Sequence, residues 1–447
     1  MLRKFRGVKE TKGFLLFLSA IVGLSAGGLA TLFHRLARFA AHLGDSLVSP
    51  FGSWTPHFLP LIAGALLTLF LAKLPFKDPR GFSGILHAVF KGKGRLSLNN
   101  GLAKLGLSFL SIAGRGSVGR ESMIAHVAAG IASWLGRLFH LAPRKLFRLI
   151  AAAVASSIAS IYGAPIAGIV FAVELLVEEV HLTLGPMVIA ALGATLIATG
   201  IPDTIDYHLP PLPNASLDNI LPFLLLGVLA GAVGSLYSKT IHSLGSKEGP
   251  RKWSPLGAGI ILTLVSIYAP QFLGGGYGAI SSMLSSPPSA TMALTFVGGK
   301  VLLTAVCLAA GWAGGLFGPS LSIGLALGFL VEQWIGLPPG SGLAAGGAAA
   351  VAGAVTHAPL ALIILAYELT GSSSAFLLVG IAVFSSVWTR DLLGTPNLYQ
   401  SPFLEPTHPE RSTVPSGGIS IQDVMDREFE TLTDESSLGD LLAALRT

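Results

Sequence analysis

Residues 164–176 read APIAGIVFAVELL and residues 358–370 read APLALIILAYELT. Laid on one another, 7 of the 13 positions are identical, including the opening Ala-Pro and the pair Glu174 and Glu368. Ala- and Gly-rich apolar sequence precedes both copies. Further upstream lie two comparable Gly-rich breaks, GRGSVGRES at 114–122 and GWAGGLFGPS at 311–320. The chain therefore divides into two related halves, residues 12–200 and 219–403, joined by the polar stretch IPDTIDYHLPPLPNASLDN at 201–219. Duplicated halves of this kind, often in inverted topology, mark proteins that move a solute across a membrane.

Composition agrees. Only 12% of the 447 residues are charged, about half of what an ordinary soluble domain carries, while 51% are hydrophobic and 55 are Gly. A soluble globule has no means of covering that much apolar surface with so few charges, and a disordered chain shows the opposite bias. Gly among apolar residues lets transmembrane helices approach closely. The one cysteine, Cys307, lies in the apolar run VLLTAVCLAAG, which excludes a disulfide framework and a Cys-based metal site. There is no Walker A pattern and no metal-ligand spacing, so no cofactor, ATP-driven pump or metal catalysis is indicated.

The net charge is +6, and its placement matters more than its size. Arg3, Lys4, Arg6, Lys9 and Lys12 stand against Glu10 at the start, directly before an apolar stretch from Phe14 to about Leu43. That stretch exceeds the hydrophobic region of a signal peptide. By the positive-inside rule the N-terminus is expected in the cytoplasm of a multi-pass protein of the plasma or inner membrane. The basic cluster is then a topology signal, with no nucleic acid implied.

Apolar segments recur at 58–74, 96–113, 122–136, 146–160, 165–177, 186–200, 219–244, 255–272, 292–310, 319–335, 341–355, 359–370 and 375–389. Many fall short of the roughly 20 residues that cross about 30 Å of hydrocarbon. Short pieces broken by Gly and Pro predict re-entrant or tilted half-helices, tolerated at membrane depth inside protein or beside a water-filled path. Residues 1–403 are thus expected to form an all-α membrane domain. A Pro/Ser-rich linker follows at 404–418, and residues 419–447 have a soluble composition too short to fold alone, as expected for the beginning of a larger cytosolic module.

An ion that leaves water needs new partners, and helix N-termini supply N–H donors at the positive end of the macrodipole. Three breaks offer such ends: Gly81–Ile85, Gly119–Ser122 and Gly315–Ser320. Donors converging on one point favour an anion. Glu121 is the exception among them. A carboxylate beside positive helix ends competes for the same field, so it can act as a tethered anion that protonation releases. Glu174 and Glu368 read instead as structural carboxylates satisfied by backbone N–H groups or water.

These motifs together resemble the CLC family of chloride channels and chloride/proton antiporters, from about residue 12 to the end of the chain. The family's Gly-Arg-Glu-Gly-Pro motif is matched at Gly119, Arg120 and Glu121 and departs at Ser122 and Met123. Its Gly-x-Phe-x-Pro motif is intact at Gly315, Phe317 and Pro319, and its Gly-Ser-Gly-Ile-Pro motif survives as Ser83, Gly84 and Ile85. Its late pore tyrosine fits Tyr399 in GTPNLYQ, and residues 419–447 resemble the opening of a CBS domain. The resemblance implies the family's fold of two inverted repeats with broken half-helices. It implies a chloride ion held by the hydroxyls of Ser83 and Tyr399 and by backbone N–H groups of Leu316 and Phe317. Gly84, Ile85, Gly119, Arg120, Ser122 and Gly315 would form the surrounding helix ends, and Glu121 the gate. It further implies a homodimer in the lipid bilayer with one pore per subunit and no enzymatic activity.

One departure bears on mechanism. Family antiporters commonly place a proton-relay glutamate directly after the position matched by Glu174, and here that residue is Leu175. An apolar residue there favours a passive channel. A proton-coupled antiporter is the alternative, with Glu178 and Glu179 as candidate proton carriers one helical turn onward. A remote reading from another class rests on Gly81-Phe82-Ser83-Gly84, which matches the nucleophile motif of intramembrane serine proteases and would need His126 or His357 as base. Those two histidines read more simply as a packed helix residue and the cap of the turn before Pro359.

Overall fold

The computed structural model describes residues 12–48, 55–73, 82–90, 94–176, 180–201, 209–245, 253–338 and 340–399. Glu178, Glu179, Gly81, the linker 404–418 and the region 419–447 lie outside the described residues. Among the described residues there are sixteen α-helices, and they fall into two sets of eight. The first set is α1 (Lys12–Val48), α2 (Leu59–Lys73), α3 (Phe82–Phe90), α4 (Leu98–Ala113), α5 (Glu121–Leu138), α6 (Pro143–Tyr162), α7 (Pro165–Leu176) and α8 (Val180–Thr199). The second is α9 (Leu217–Leu244), α10 (Ser254–Tyr268), α11 (Tyr277–Ser285), α12 (Ala290–Ala309), α13 (Phe317–Trp334), α14 (Leu343–Thr356), α15 (Pro359–Thr370) and α16 (Ala375–Leu392). Position by position the sets correspond, with a nine-residue helix third in each.

The duplicated Ala-Pro segments mark the same event twice. Gly163 ends α6 in the left-handed region at φ 66°, Ala164 follows, and Pro165 opens α7. In the second half His357 ends α14 at φ 58°, Ala358 follows, and Pro359 opens α15. Proline lacks the N–H that a first helical position leaves unused, and its fixed φ starts the new helix. His357 is therefore a cap, as read, in a conformation that glycine takes more easily.

The halves meet through reciprocal contacts, the mark of inverted repeats about a two-fold axis. At the crossing of α2 and α10, a Cβ on Gly64 would lie 2.7 Å from the Pro255 carbonyl, and one on Gly259 would lie 2.8 Å from that of Pro60. Only glycine permits that approach. At the crossing of α7 and α15 the two glutamates exchange partners. Glu174 accepts from Leu360 N (2.9 Å) and Ala361 N (2.8 Å), while Glu368 accepts from Ile166 N (3.0 Å) and Ala167 N (2.7 Å). Each carboxylate thus caps the first turn of the opposite repeat's helix, satisfying donors that lipid would leave bare.

Among the described residues six helices are long and apolar enough to cross a membrane, α2 among them when the turn from Pro56 is included, whereas the fifteen residues of α10 span about 23 Å, short of about 30 Å of hydrocarbon. Buried side chains gather between the halves around Leu67, Leu107, Leu262, Cys307 and Trp312, whose indole Nε1 donates to the Pro255 carbonyl at 3.0 Å. Helices α3 and α11 are the two elements that apolar periodicity did not reveal as helices. Nine residues with interspersed Gly and Ser make too short a stripe.

Candidate functional site

The Gly-rich breaks at 114–120 and 311–316 run antiparallel past each other in the interior. Gly119 N donates to Gly315 O and Gly315 N to Gly119 O, both at 2.7 Å. This isolated bridge aligns two helix starts, with α5 opening at Glu121 and α13 at Phe317. No side chain caps either helix, so their first-turn donors are left for other acceptors. A side chain at Gly315 would run into Ser122 Oγ at 2.7 Å, which explains the glycine.

Beside this junction lies a cavity of about 30 Å³ lined by Phe82, Ser83, Ser122, Gly315, Leu316 and Tyr399, among others. A single water needs roughly 10–15 Å³, so the space suits one small solute. Ser83, Ser122 and Tyr399 are all buried. The hydroxyls of Ser122 and Tyr399 have no hydrogen-bond partner among the described residues, an uncommon state for buried polar groups. Hydroxyl donors next to uncapped helix N-termini form a lining suited to a negative solute and poor for a cation.

Glu121 is completely buried at the first position of α5. Two phenols donate to its Oε1, Tyr162 at the end of α6 (2.5 Å) and Tyr277 at the start of α11. Its Oε2 has no partner among the described residues. A chain of aromatic contacts links this carboxylate to the cavity. Tyr162 packs on Phe317 (5.6 Å between ring centroids), Phe317 on Phe171 (5.7 Å), Phe171 on Phe82 (5.5 Å) and Phe82 on Tyr399 (5.3 Å).

The remaining sequence-derived candidates fall into two groups. Ser83, Ser122, Gly315, Leu316 and Tyr399 come together around the cavity, with Gly119 bonded to Gly315 beside them. Phe317 stands in the aromatic chain, one residue from the cavity wall. Gly84 is backed by the imidazole of His126 and the ammonium of Lys104, and Ile85 is fully buried in α3; neither is among the lining residues. The Arg120 side chain reaches His34 Nδ1 at 2.6 Å and lies 4.6 Å from the centre of the Tyr277 ring. Leu175 is buried, and its neighbour Glu174 is engaged in capping α15. Tyr162 and Tyr277 are the site residues that sequence reasoning missed. Tyr277 carried a readable sign, the run Gly274-Gly275-Gly276 before it, which marks close backbone approach.

The profile described as "Voltage gated chloride channel" matches residues 63–391. A ClcB-like protein of Ralstonia nicotianae is 31% identical over 408 residues, covering 85% of this chain and 95% of its own length. The voltage-gated ClC-type chloride channel ClcB of Escherichia coli K12 is 30% identical over 349 residues, covering 74% of this chain and 82% of its own. In structure, the chain resembles a slow cyanobacterial Cl−/H+ antiporter (TM-score 0.76, 23% identity, 86% of this chain and 96% of that one). It also resembles a CLC-type fluoride/proton antiporter (TM-score 0.74, 24% identity, 86% and 98%). These two likenesses establish the fold, whereas the profile and the sequence relatives establish descent. With its two inverted sets of eight helices and its paired Gly-rich breaks, this integral, multi-pass membrane protein belongs to the voltage-gated chloride channel family, the CLC family of chloride transport.

Proposed function

We propose that this protein is a passive, non-enzymatic chloride channel of the plasma or inner membrane, gated by Glu121. The observation that carries the reading is the carboxylate of Glu121, fully buried and held by two phenols at the uncapped start of α5, next to the small hydroxyl-lined cavity. In this reading one chloride sits in the cavity, held by the hydroxyls of Ser83 and Tyr399 and the N–H groups of Leu316 and Phe317. Charged Glu121 competes for that field and closes the path. Protonation removes its charge and opens it.

The channel mode is supported by Leu175, which has no proton to carry, and by Glu174, whose two oxygens are committed to Leu360 and Ala361. Residues of a single chain suffice to line this cavity, in keeping with a homodimer of independent pores. Residues 419–447 are assigned in this reading to a cytoplasmic segment of CBS type.

Reconstitution in liposomes, with chloride efflux and internal pH recorded together, tests the mode. Chloride efflux without coupled proton movement is the expected result. An imposed chloride gradient that drives protons uphill would make the protein an antiporter like the solved structures it resembles, with Glu178 and Glu179 the first residues to replace.

The anion site has its own test. Tyr399→Phe keeps the ring against Phe82 and removes the unpaired hydroxyl. A hydrogen bond to a charged partner contributes about 1.5–3 kcal/mol, so chloride affinity by calorimetry should fall roughly tenfold or more. Unchanged affinity would remove Tyr399 from the site.

A further inference from the structure

Lys300 lies at the middle of α12 with none of its surface exposed. A charged side chain at such depth is costly and needs a dedicated set of partners. Lys300 finds them in backbone carbonyls. Its Nζ donates to Phe272 O (2.9 Å) and to Gly274 O, with Leu273 O at 3.5 Å. An ammonium carries three N–H donors, so this arrangement suits its protonated form.

The three carbonyls belong to the segment that leads into α11. Gly274 and Gly276 both adopt left-handed backbone, at φ 73° and 96°, so the segment has little conformational preference of its own. It is pinned from two sides. Lys300 takes its carbonyls, and Gly274 N donates to Arg115 O at 2.9 Å, tying it to the Gly-rich break before Glu121. Tyr277 comes next. Its phenol donates to Glu121, and Arg120 N lies 3.4 Å from the same oxygen.

We propose that Lys300 is a positioning residue for the gate: by holding the carbonyls of 272–274 it sets the Tyr277 phenol on the Glu121 carboxylate. This rests on the reading of Glu121 as the gate. The groups that face Glu121 are Tyr162 from α6 and Tyr277 from α11, with Arg120 preceding it; Tyr237 of α9 and Tyr399 are close enough to feel its charge. Lys300 itself is faced by Cys307 of the same helix.

The test is a double-mutant cycle on the full chain in liposomes, reading chloride efflux across a pH series for wild type, Tyr277→Phe, Lys300→Met and the double variant. Loss of one phenol donor disfavours the charged carboxylate, so Tyr277→Phe should move the pH of half-maximal flux upward by about one unit. Lys300→Met should shift it in the same direction, and the double variant should shift no further than the larger single effect. Lys300→Arg, which keeps the charge and the donors, should return the profile toward wild type. A wild-type profile in Lys300→Met, or shifts that add in the double variant, would overturn the proposal. If Lys300→Met yields no monodisperse protein, Lys300→Gln retains two N–H donors and is held to the same criterion of shift and non-additivity. Should Glu121→Gln keep the wild-type pH dependence, the gate reading itself falls. If Glu121→Gln and Tyr277→Phe act as expected and the Lys300 variants do not, the positioning role alone falls.

Discussion

Chloride efflux through Glu121→Gln is expected to be fast and flat across an acid-to-neutral pH series, where the wild type rises as pH falls. A fully buried anion has no water to satisfy it, and here two phenol O–H groups and the N-terminus of α5 take that role. Hydrogen bonds to a charged acceptor contribute about 1.5–3 kcal/mol each, roughly twice the neutral ones. Glutamine keeps the shape and one oxygen but neither the charge nor the second acceptor. The closed position is then weakened by about 2–4 kcal/mol, more than tenfold in occupancy. With no titrating group at this position, the pH series has nothing to report. Glu121→Ala should give the same flat profile without any side chain in the path. A glutamine variant that still opens on acidification would show that the gate resides elsewhere.

Replacing both Glu174 and Glu368 by glutamine is expected to lower stability sharply while leaving the pH of half-maximal flux in place. Each carboxylate accepts two backbone N–H groups, one per oxygen, from the first turn of the opposite repeat's helix. A glutamine accepts through one oxygen and turns an amide donor toward the other N–H, so one helix-start N–H loses its charged acceptor at each site. That costs about 1.5–3 kcal/mol per site, and near twice that for the pair if the sites act independently. The inverted symmetry makes the two single variants close to equal. Thermal unfolding of the purified protein in detergent measures the loss. A double variant that melts like wild type would show these bonds to be energetically idle. A displaced pH midpoint would instead connect Glu174 to the gate.

Much of this architecture was legible beforehand. The Ala-Pro opening of residues 164–176 and 358–370 carried both the duplication and the helix break, because proline limits the backbone locally whatever packs around it. Glu121 stood out for a similar reason, as an acid inside a Gly-rich break of an apolar chain. Helices α3 and α11 were hidden, since nine residues make too short an apolar stripe to register. Arg120, read as part of the anion site, sends its side chain to His34 and across the Tyr277 ring, a direction that packing against α1 and α11 decided.

The amino-acid sequence determined by itself what depends on neighbours along the chain: membrane residence from composition, helix breaks from Gly and Pro, two halves from the repeat, and N–H donors at the start of α5 and α13. The tertiary structure alone decided which groups converge. Tyr162 and Tyr277 reach one oxygen of Glu121 from 41 and 156 residues away, and Glu174 finds its donors 186 and 187 residues on. Hydrogen bonds act over about 3 Å and carry no trace of chain separation, so their partners are set by how the inverted repeats pack.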